Sequence, residues 1–201
     1  LFRSRGPGDG GSGVSGPASV PALVARDLEV RYPGTAPAAH PALRLDALEL
    51  APGRAIALVG ESGSGKTTAV RALLGLVPPS AGGVTFGGTS VGALRGEALR
   101  AFRRTVQAIP QDTDGALDPR QTIGAAIAEG WRAGGRRPVA GATDARSVVA
   151  RSLDEVGLPS DVAERHPHRL SGGQRQRATI ARALAVGPRL LLLRSEEHTS
   201  E

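Results

Sequence analysis

Gly60-Glu61-Ser62-Gly63-Ser64-Gly65-Lys66-Thr67-Thr68 has the spacing G-x-x-x-x-G-K-[ST], that of a loop that cradles the phosphates of a nucleotide. The apolar run Ala55-Ile56-Ala57-Leu58-Val59 before it reads as a short buried strand. Ala69-Val70-Arg71-Ala72-Leu73-Leu74 after it reads as the opening of a helix. Strand, glycine loop and helix in that order are what the chemistry needs. The glycines let the backbone curl until successive N–H groups point at one anion. The helix N-terminus adds its partial positive charge at the same point. Lys66 is expected to reach the β- and γ-phosphates, and the Thr67 hydroxyl to hold Mg²⁺. Lys66 is the only lysine in the chain; every other strongly basic side chain is arginine.

The 201 residues suit one domain or a large part of one. The chain is 40% hydrophobic and 22% charged, the balance of a soluble globular protein. It has no cysteine, which excludes a disulfide framework and a thiolate metal site. It has no methionine either, so Leu1 is read as a processed or internal start. No apolar core follows Leu1-Phe2-Arg3-Ser4-Arg5, so no signal peptide is expected there. No apolar run approaches the ~20 residues of a membrane-spanning helix. The net charge of +6 comes from chain-wide arginine, with no basic run longer than two residues, and does not single out nucleic acid as a partner.

Residues 6–19 are mostly Gly, Ser, Pro and Ala and read as a flexible linker, with the boundary at about residue 20. Something folded is expected upstream of it. Leu23 to Tyr32 alternates apolar and charged residues in its second half, and Leu43 to Leu50 alternates again; both read as half-buried strands. Two antiparallel strands leading into the glycine loop give a mixed α/β layout. Pro78 to Gly83 reads as a turn and Val84-Thr85-Phe86 as a short strand. Leu94 to Arg104 reads as a helix with Leu94, Ala98 and Ala101 or Phe102 on one face. Thr105 to Ile109 is another strand, closed by Pro110-Gln111-Asp112. Residues 130–143 are rich in Gly, Arg and Pro and read as a loop. Ser147 to Val156 reads as a helix with Val149, Leu153 and Val156 at i, i+4 and i+7. Leu170 to Gln174 opens a helix running to about Val186. Leu190 to Leu193 is a wholly apolar run that suits a central parallel strand.

The second decisive stretch is Leu170-Ser171-Gly172-Gly173-Gln174-Arg175-Gln176-Arg177. A serine hydroxyl and glycine N–H groups at a helix N-terminus make a second anion site. With the phosphate loop upstream, this stretch resembles the signature of ATP-binding-cassette (ABC) ATPases, and the resemblance runs from about Leu23 to Leu193. It implies an α/β phosphate-loop NTPase fold of the ABC type: a RecA-like core, an antiparallel β part and an inserted helical subdomain, here truncated before the C-terminal strands. The core then takes residues 21–111 and 175–193, and the helical subdomain with the signature takes 112–174. The resemblance also implies that two cassettes pair head to tail, with Ser171, Gly172, Gly173 and Gln174 of one clasping ATP on the other's phosphate loop.

Further roles follow from the same resemblance. Gly60, Glu61, Ser62, Gly63, Ser64, Gly65 and Lys66 bind the nucleotide, with Thr67 on Mg²⁺ and Thr68 on the α-phosphate. Tyr32, the only tyrosine, stacks on adenine. Gln111 touches Mg²⁺ and the attacking water. Residues from about 112 to 169 dock on a transmembrane permease subunit. Trp131 is a candidate for that docking face and also for packing. Ala116-Leu117-Asp118-Pro119-Arg120 after Gln111-Asp112, and Glu164-Arg165-His166-Pro167-His168-Arg169 before the signature, are similar to the ATPases of dipeptide, oligopeptide and nickel importers. Thr113 and Ile109-Pro110 depart from that pattern. His166 and His168 read as surface residues. The implied protein is an MgATP-hydrolysing subunit of an importer of peptides or related small solutes. It would sit on the cytoplasmic face of the membrane with permeases, an extracytoplasmic solute-binding protein and a second cassette, fused or separate, and no nucleic acid. A soluble ABC ATPase of DNA repair or translation is the alternative from another class.

The resemblance breaks after Leu193. The family places Asp-Glu there, to order Mg²⁺ and polarise the attacking water. This chain has Arg194 and Ser195. The eight residues Arg194-Ser195-Glu196-Glu197-His198-Thr199-Ser200-Glu201 are also what AGA TCG GAA GAG CAC ACG TCT GAA encodes, a string that resembles the start of a DNA-sequencing adapter. Residues 194–201 are therefore expected to be read-through, and the chain a gene fragment. Taken literally, the sequence is instead a degenerate cassette that binds ATP without hydrolysing it.

Overall fold

The computed structural model describes residues 22–32, 34, 40–51, 63–109, 115–136 and 141–193. The linker, the strand expected at Ala55–Val59, Gly60, Glu61, Ser62, Gln111 and the segment 194–201 lie outside the described residues. The chain divides into two compact units, with the boundary between Arg100 and Ala101.

The first unit is built on an antiparallel sheet of order β2-β1-β3-β4, comprising β1 (Leu23–Val30), β2 (Leu43–Leu50), β3 (Ala81–Phe86) and β4 (Thr89–Ser90). Alternation puts Leu23, Ala25, Leu28 and Val30 of β1 and Leu43, Leu45, Leu48 and Leu50 of β2 inside. The phase slips between Ala25 and Leu28 because Asp27 takes a left-handed φ of 47° and the register to β3 shifts between Arg26 and Glu29. Gly82 faces that bulge. A Cβ on it would lie 2.1 Å from the Asp27 carbonyl oxygen, and its φ is +66°. Gly82 and Gly83 are thus strand residues. The turn expected through Gly83 is shorter, because these glycines serve close strand approach. Helix α1 (Lys66–Leu73) turns Thr68, Ala69, Ala72 and Leu73 inward, and it contacts β1 and β2.

A 3₁₀ turn at Val91–Ala93 precedes α2 (Gly96–Thr105). Leu94 is buried but extended, so it stands ahead of the helix. Ala98 and Ala101 are exposed; the inward face is Leu99 and Phe102, at i and i+3. Phe102 of the expected face is inward, whereas Leu94 precedes the helix, so a spacing counted from it picked Ala98 in place of Leu99.

The second unit holds β5 (Val106–Ile109), α3 (Ile123–Ala133), α4 (Ala145–Glu155), 3₁₀ turns at Ser160–Glu164 and Pro167–Arg169, α5 (Gly172–Ala185) and β6 (Leu190–Leu193). β5 and β6 pair in parallel, Val106 opposite Leu190 and Ile109 opposite Leu193. The three helices share one core that includes Ile123, Ile127, Val148, Leu153, Ala178 and Ala181. Trp131 is 7% exposed and belongs to this core, so it is a packing residue. α3 continues through Gly130 to Ala133, correcting the loop expected from residue 130. A Cβ on Gly130 would lie 2.6 Å from the Arg182 carbonyl oxygen, and one on Gly134 2.4 Å from that of Val186. The glycines there mark close approach to α5, not irregular backbone. On α4 the buried residues are Val148, Ser152 and Leu153, with Val149 and Val156 only half-buried.

Candidate functional site

Two loop–helix junctions carry the residues singled out by the sequence, one in each unit. At the first, Gly63 and Gly65 take φ of 81° and 88°. A Cβ on Gly65 would stand 2.5 Å from the Ala42 carbonyl oxygen. Only glycine meets both demands. Among the described residues α1 has no side-chain cap and no acidic residue in its first turn, and the start of a helix is where an anion is favoured. The Lys66 ammonium donates to Ser64 Oγ at 3.3 Å, bringing lysine back across its own loop. Lys66 and Thr67 are half-buried and Thr68 is buried.

Tyr32 follows β1 and is 39% exposed, yet its hydroxyl lies 3.3 Å from Thr68 Oγ1. Hydrogen bonding from Thr68, with a smaller contribution from the Arg71 guanidinium, outweighs partial desolvation and holds the phenol below its ordinary pKa. The structure thus brings Tyr32, Lys66, Thr67 and Thr68 to one end of α1. Arg71 was not among the expected site residues. Its signal was present in the i, i+3 spacing from Thr68, which puts both on one helix face.

At the second junction Ser171 caps α5. Its Oγ accepts from the Gln174 N–H at 3.2 Å, and its own N–H donates to Gln174 Oε1 at 3.0 Å, a reciprocal capping box. Ser171, Gly172 and Gly173 are all exposed. Among the described residues nothing lies within 4 Å of a Cβ built on Gly172 or Gly173. Capping uses a lone pair of the serine oxygen, so the hydroxyl hydrogen remains able to donate outward. Two arginines of the same stretch, given no role of their own from the sequence, donate to backbone carbonyls. Arg175 donates to the Leu170 carbonyl at 2.8 Å and Arg177 to that of Gly157 at 2.9 Å. His166 and His168 stack at 5.7 Å, but among the described residues no group of three or more His, Cys, Asp or Glu is placed to hold a metal ion.

Comparison with known proteins fits this geometry. Residues 43–194 match the family model described as ABC transporter. The nickel import ATP-binding protein NikE of Pseudomonas putida is 49% identical over 151 residues, which are 73% of this chain and 52% of that protein. The glutathione import ATP-binding protein GsiA of Escherichia coli is 49% identical over 144 residues, 72% of this chain and 23% of that protein. The chain thus spans about half the length of the first relative and about a quarter of the second. Among solved structures, cbiO1 of Clostridium perfringens, part of the cbiONQ ABC transporter complex, superimposes with a TM-score of 0.69 at 24% identity, covering 85% of this chain and 64% of that one. A bacterial Atm1-family ABC exporter with ATP bound gives a TM-score of 0.66 at 25% identity, covering 90% of this chain and 30% of that one. With both glycine-bearing junctions inside the matched span, and with the fold those structures share, the chain belongs to the ABC transporter family.

Proposed function

We propose that this chain is the ATP-binding part of an ABC importer subunit, and that the importer takes up peptides, glutathione-like peptides or related small solutes including nickel chelates. The observation that carries the reading is Gly172-Gly173: exposed glycines at a helix start with no neighbour to accommodate among the described residues. Such bareness suits close approach by a phosphate group. In this reading α1 receives the triphosphate, with Lys66 on its terminal phosphates and the ring of Tyr32 under adenine. Gly60, Glu61 and Ser62 complete the loop. Thr67 and Gln111 contribute to Mg²⁺, which neutralises phosphate charge; a site of few protein ligands suits an ion that keeps waters and phosphate oxygens. Ser171, Gly172, Gly173 and Gln174 act on ATP bound by a second cassette. Residues 112–174 form the permease-docking subdomain on the cytoplasmic face of the membrane. A solute-binding protein delivers cargo from the other side.

Arg194 and Ser195 supply neither a Mg²⁺-ordering carboxylate nor a general base. The chain as written is therefore expected to bind ATP and to release no phosphate above background.

The test is ATP titration of the wild-type chain and of Lys66→Ala. Losing a charge-assisted phosphate contact is expected to weaken ATP binding about ten- to hundredfold. Equal affinity in the two proteins removes Lys66 from the site. For action in trans, Ser171→Arg is expected to bind ATP yet not self-associate. Mixing it with Lys66→Ala restores one composite site and an ATP-dependent dimer on size exclusion. A mixture that stays monomeric while wild type dimerises counts against action of Ser171 in trans.

A further inference from the structure

Counted from Leu23 without a break, alternation would send Ala25, Asp27, Glu29 and Arg31 to the buried face of β1. The buried residues are instead Leu23, Ala25, Leu28 and Val30, so the phase moves by one residue between Ala25 and Leu28. That step is the bulge. Arg26 pairs with Gly83 and Glu29 with Ala81, which leaves Asp27 and Leu28 of β1 opposite the single Gly82 of β3. Asp27 absorbs the extra residue with its φ of 47°. Gly82 makes room for it: a Cβ there would lie 2.1 Å from the Asp27 carbonyl oxygen and 2.3 Å from that of Arg26. The new phase holds past the end of the strand. Glu29 and Arg31 pair at 2.6 Å on one side. Ser80 ties the backbone there, its Oγ accepting from the Arg31 N–H at 2.9 Å and its own N–H donating to the Glu29 carbonyl at 2.7 Å. Tyr32 therefore falls in with Leu28 and Val30 on the other side, where its hydroxyl oxygen lies 3.3 Å from Thr68 Oγ1 of α1.

We infer that the bulge at Asp27, seated on Gly82, positions Tyr32 for the nucleotide. A one-residue change of phase exchanges the two faces for every residue after it, and bulges beside sites re-aim side chains in this way. In an unbulged β1 of the same sequence, Arg31 would turn toward α1 and Tyr32 away from it. The core requires the bulge as far as Val30, since without it Glu29 would turn inward. Tyr32 lies beyond the last paired residue of β1 and is 39% exposed. Burial therefore does not decide which way it points; the phase handed on by the bulge does. Gly82 is thus a positioning residue that acts through Tyr32. The inference rests on the reading that the ring of Tyr32 lies under adenine, and it adds what aims the ring. Preference for a base-bearing triphosphate over a bare one would then depend on a glycine in β3.

The test compares binding of ATP and of inorganic triphosphate to the 201-residue chain, by competition against a fluorescent ATP analogue. Tyr32→Ala sets the scale: loss of base stacking is expected to lower the ATP-to-triphosphate affinity ratio about tenfold. Gly82→Ala is expected to lower the ratio most of the way to that value, because the added Cβ displaces the bulge. In a Tyr32→Ala background it lowers the ratio no further. A general loss of structure would weaken both ligands together and leave the ratio alone. β2 follows β1 without a register shift, so deleting Asp27 together with Asp46 removes one residue from each strand and keeps Tyr32 in phase. That chain is expected to keep the wild-type ratio and, having no bulge, to tolerate Gly82→Ala. NMR cross-relaxation between the Tyr32 ring and the Thr68 methyl reads the same contact without nucleotide. It is expected in wild type and in the paired deletion, and lost in Gly82→Ala. A ratio unmoved by Gly82→Ala, or moved as much when Tyr32 is already gone, overturns the inference. If Tyr32→Ala leaves the ratio unchanged, the adenine reading falls instead, and the cross-relaxation alone decides whether the bulge aims the ring.

Discussion

The junction at α1 and the junction at α5 both carry glycines, and only the first needs them for its own shape. Gly65 combines φ +88° with a carbonyl oxygen 2.5 Å from where its Cβ would sit. Gly172 and Gly173 lie outside the left-handed region, and no described residue comes within 4 Å of a Cβ built on either. Glycine in a helix costs up to about 1 kcal/mol relative to alanine, and at α5 no contact within the described residues offsets that. The caps differ as well. α1 starts without a side-chain cap among the described residues, while α5 starts with a closed Ser171–Gln174 box. In the proposed function the first junction is a loop whose curvature serves the phosphates, and the second is a helix start small enough for a second cassette's nucleotide to come close.

Alanine substitution separates the two with opposite signs. Gly65→Ala is expected to destabilise the chain by about 2–4 kcal/mol, from a left-handed backbone and an overpacked contact, and to abolish ATP binding. Urea unfolding and ATP titration read both. A Gly65→Ala chain as stable as wild type would mean that the loop relaxes freely, and the contrast would lose its first half. The double change Gly172→Ala with Gly173→Ala is expected to raise stability by up to about 1 kcal/mol. ATP affinity of the single chain stays unchanged and ATP-dependent self-association is lost. Destabilisation in that variant would show an internal role for these glycines and erase the distinction.

Much of this was legible because the two junctions are local. A phosphate loop and a capped helix start are written in consecutive residues, as were β2 and the limits of α5. What the sequence did not show depends on distant partners. Gly130 and Gly134 read as loop residues because their reason is the α5 backbone, some fifty residues away by the numbering of Arg182 and Val186. Gly82 read as a turn residue because the bulge it faces lies at Asp27. The face of α2 was misread because apolar periodicity does not reveal that Leu94 stays extended. At the site, Tyr32 and Thr68 were each named alone. Their bond needed the packing of α1 on the β1–β2 pair.

The smallest expected effect compares two caps within the second unit. Asp144 caps α4 as Ser171 caps α5, accepting from the Arg146 and Ser147 N–H groups at 3.0 Å each and from the Ser147 hydroxyl. Those bonds, that from the Ser147 hydroxyl first, hold its carboxyl below the ordinary value of 3.8. The sign follows. The ionised form is favoured by folding, so the cap contributes fully above the ordinary carboxylate range. Its contribution is lost as pH falls through that range to the lowered folded value. Ser171 has no proton to gain, so its cap is indifferent to acid. Amide exchange is expected to show the Arg146 and Ser147 N–H groups losing protection on acidification while Gln174 keeps its own. Asp144→Asn, which still caps, is expected to remove the difference. If all three amides fade together, or the slope survives in Asp144→Asn, the carboxylate is not what distinguishes the caps. The contrast also accounts for the choice of side chain. A carboxylate at Ser171 would make a better-charged cap, but under the proposed function it would meet a phosphate with like charge, whereas a hydroxyl closes the helix and still has a hydrogen to offer.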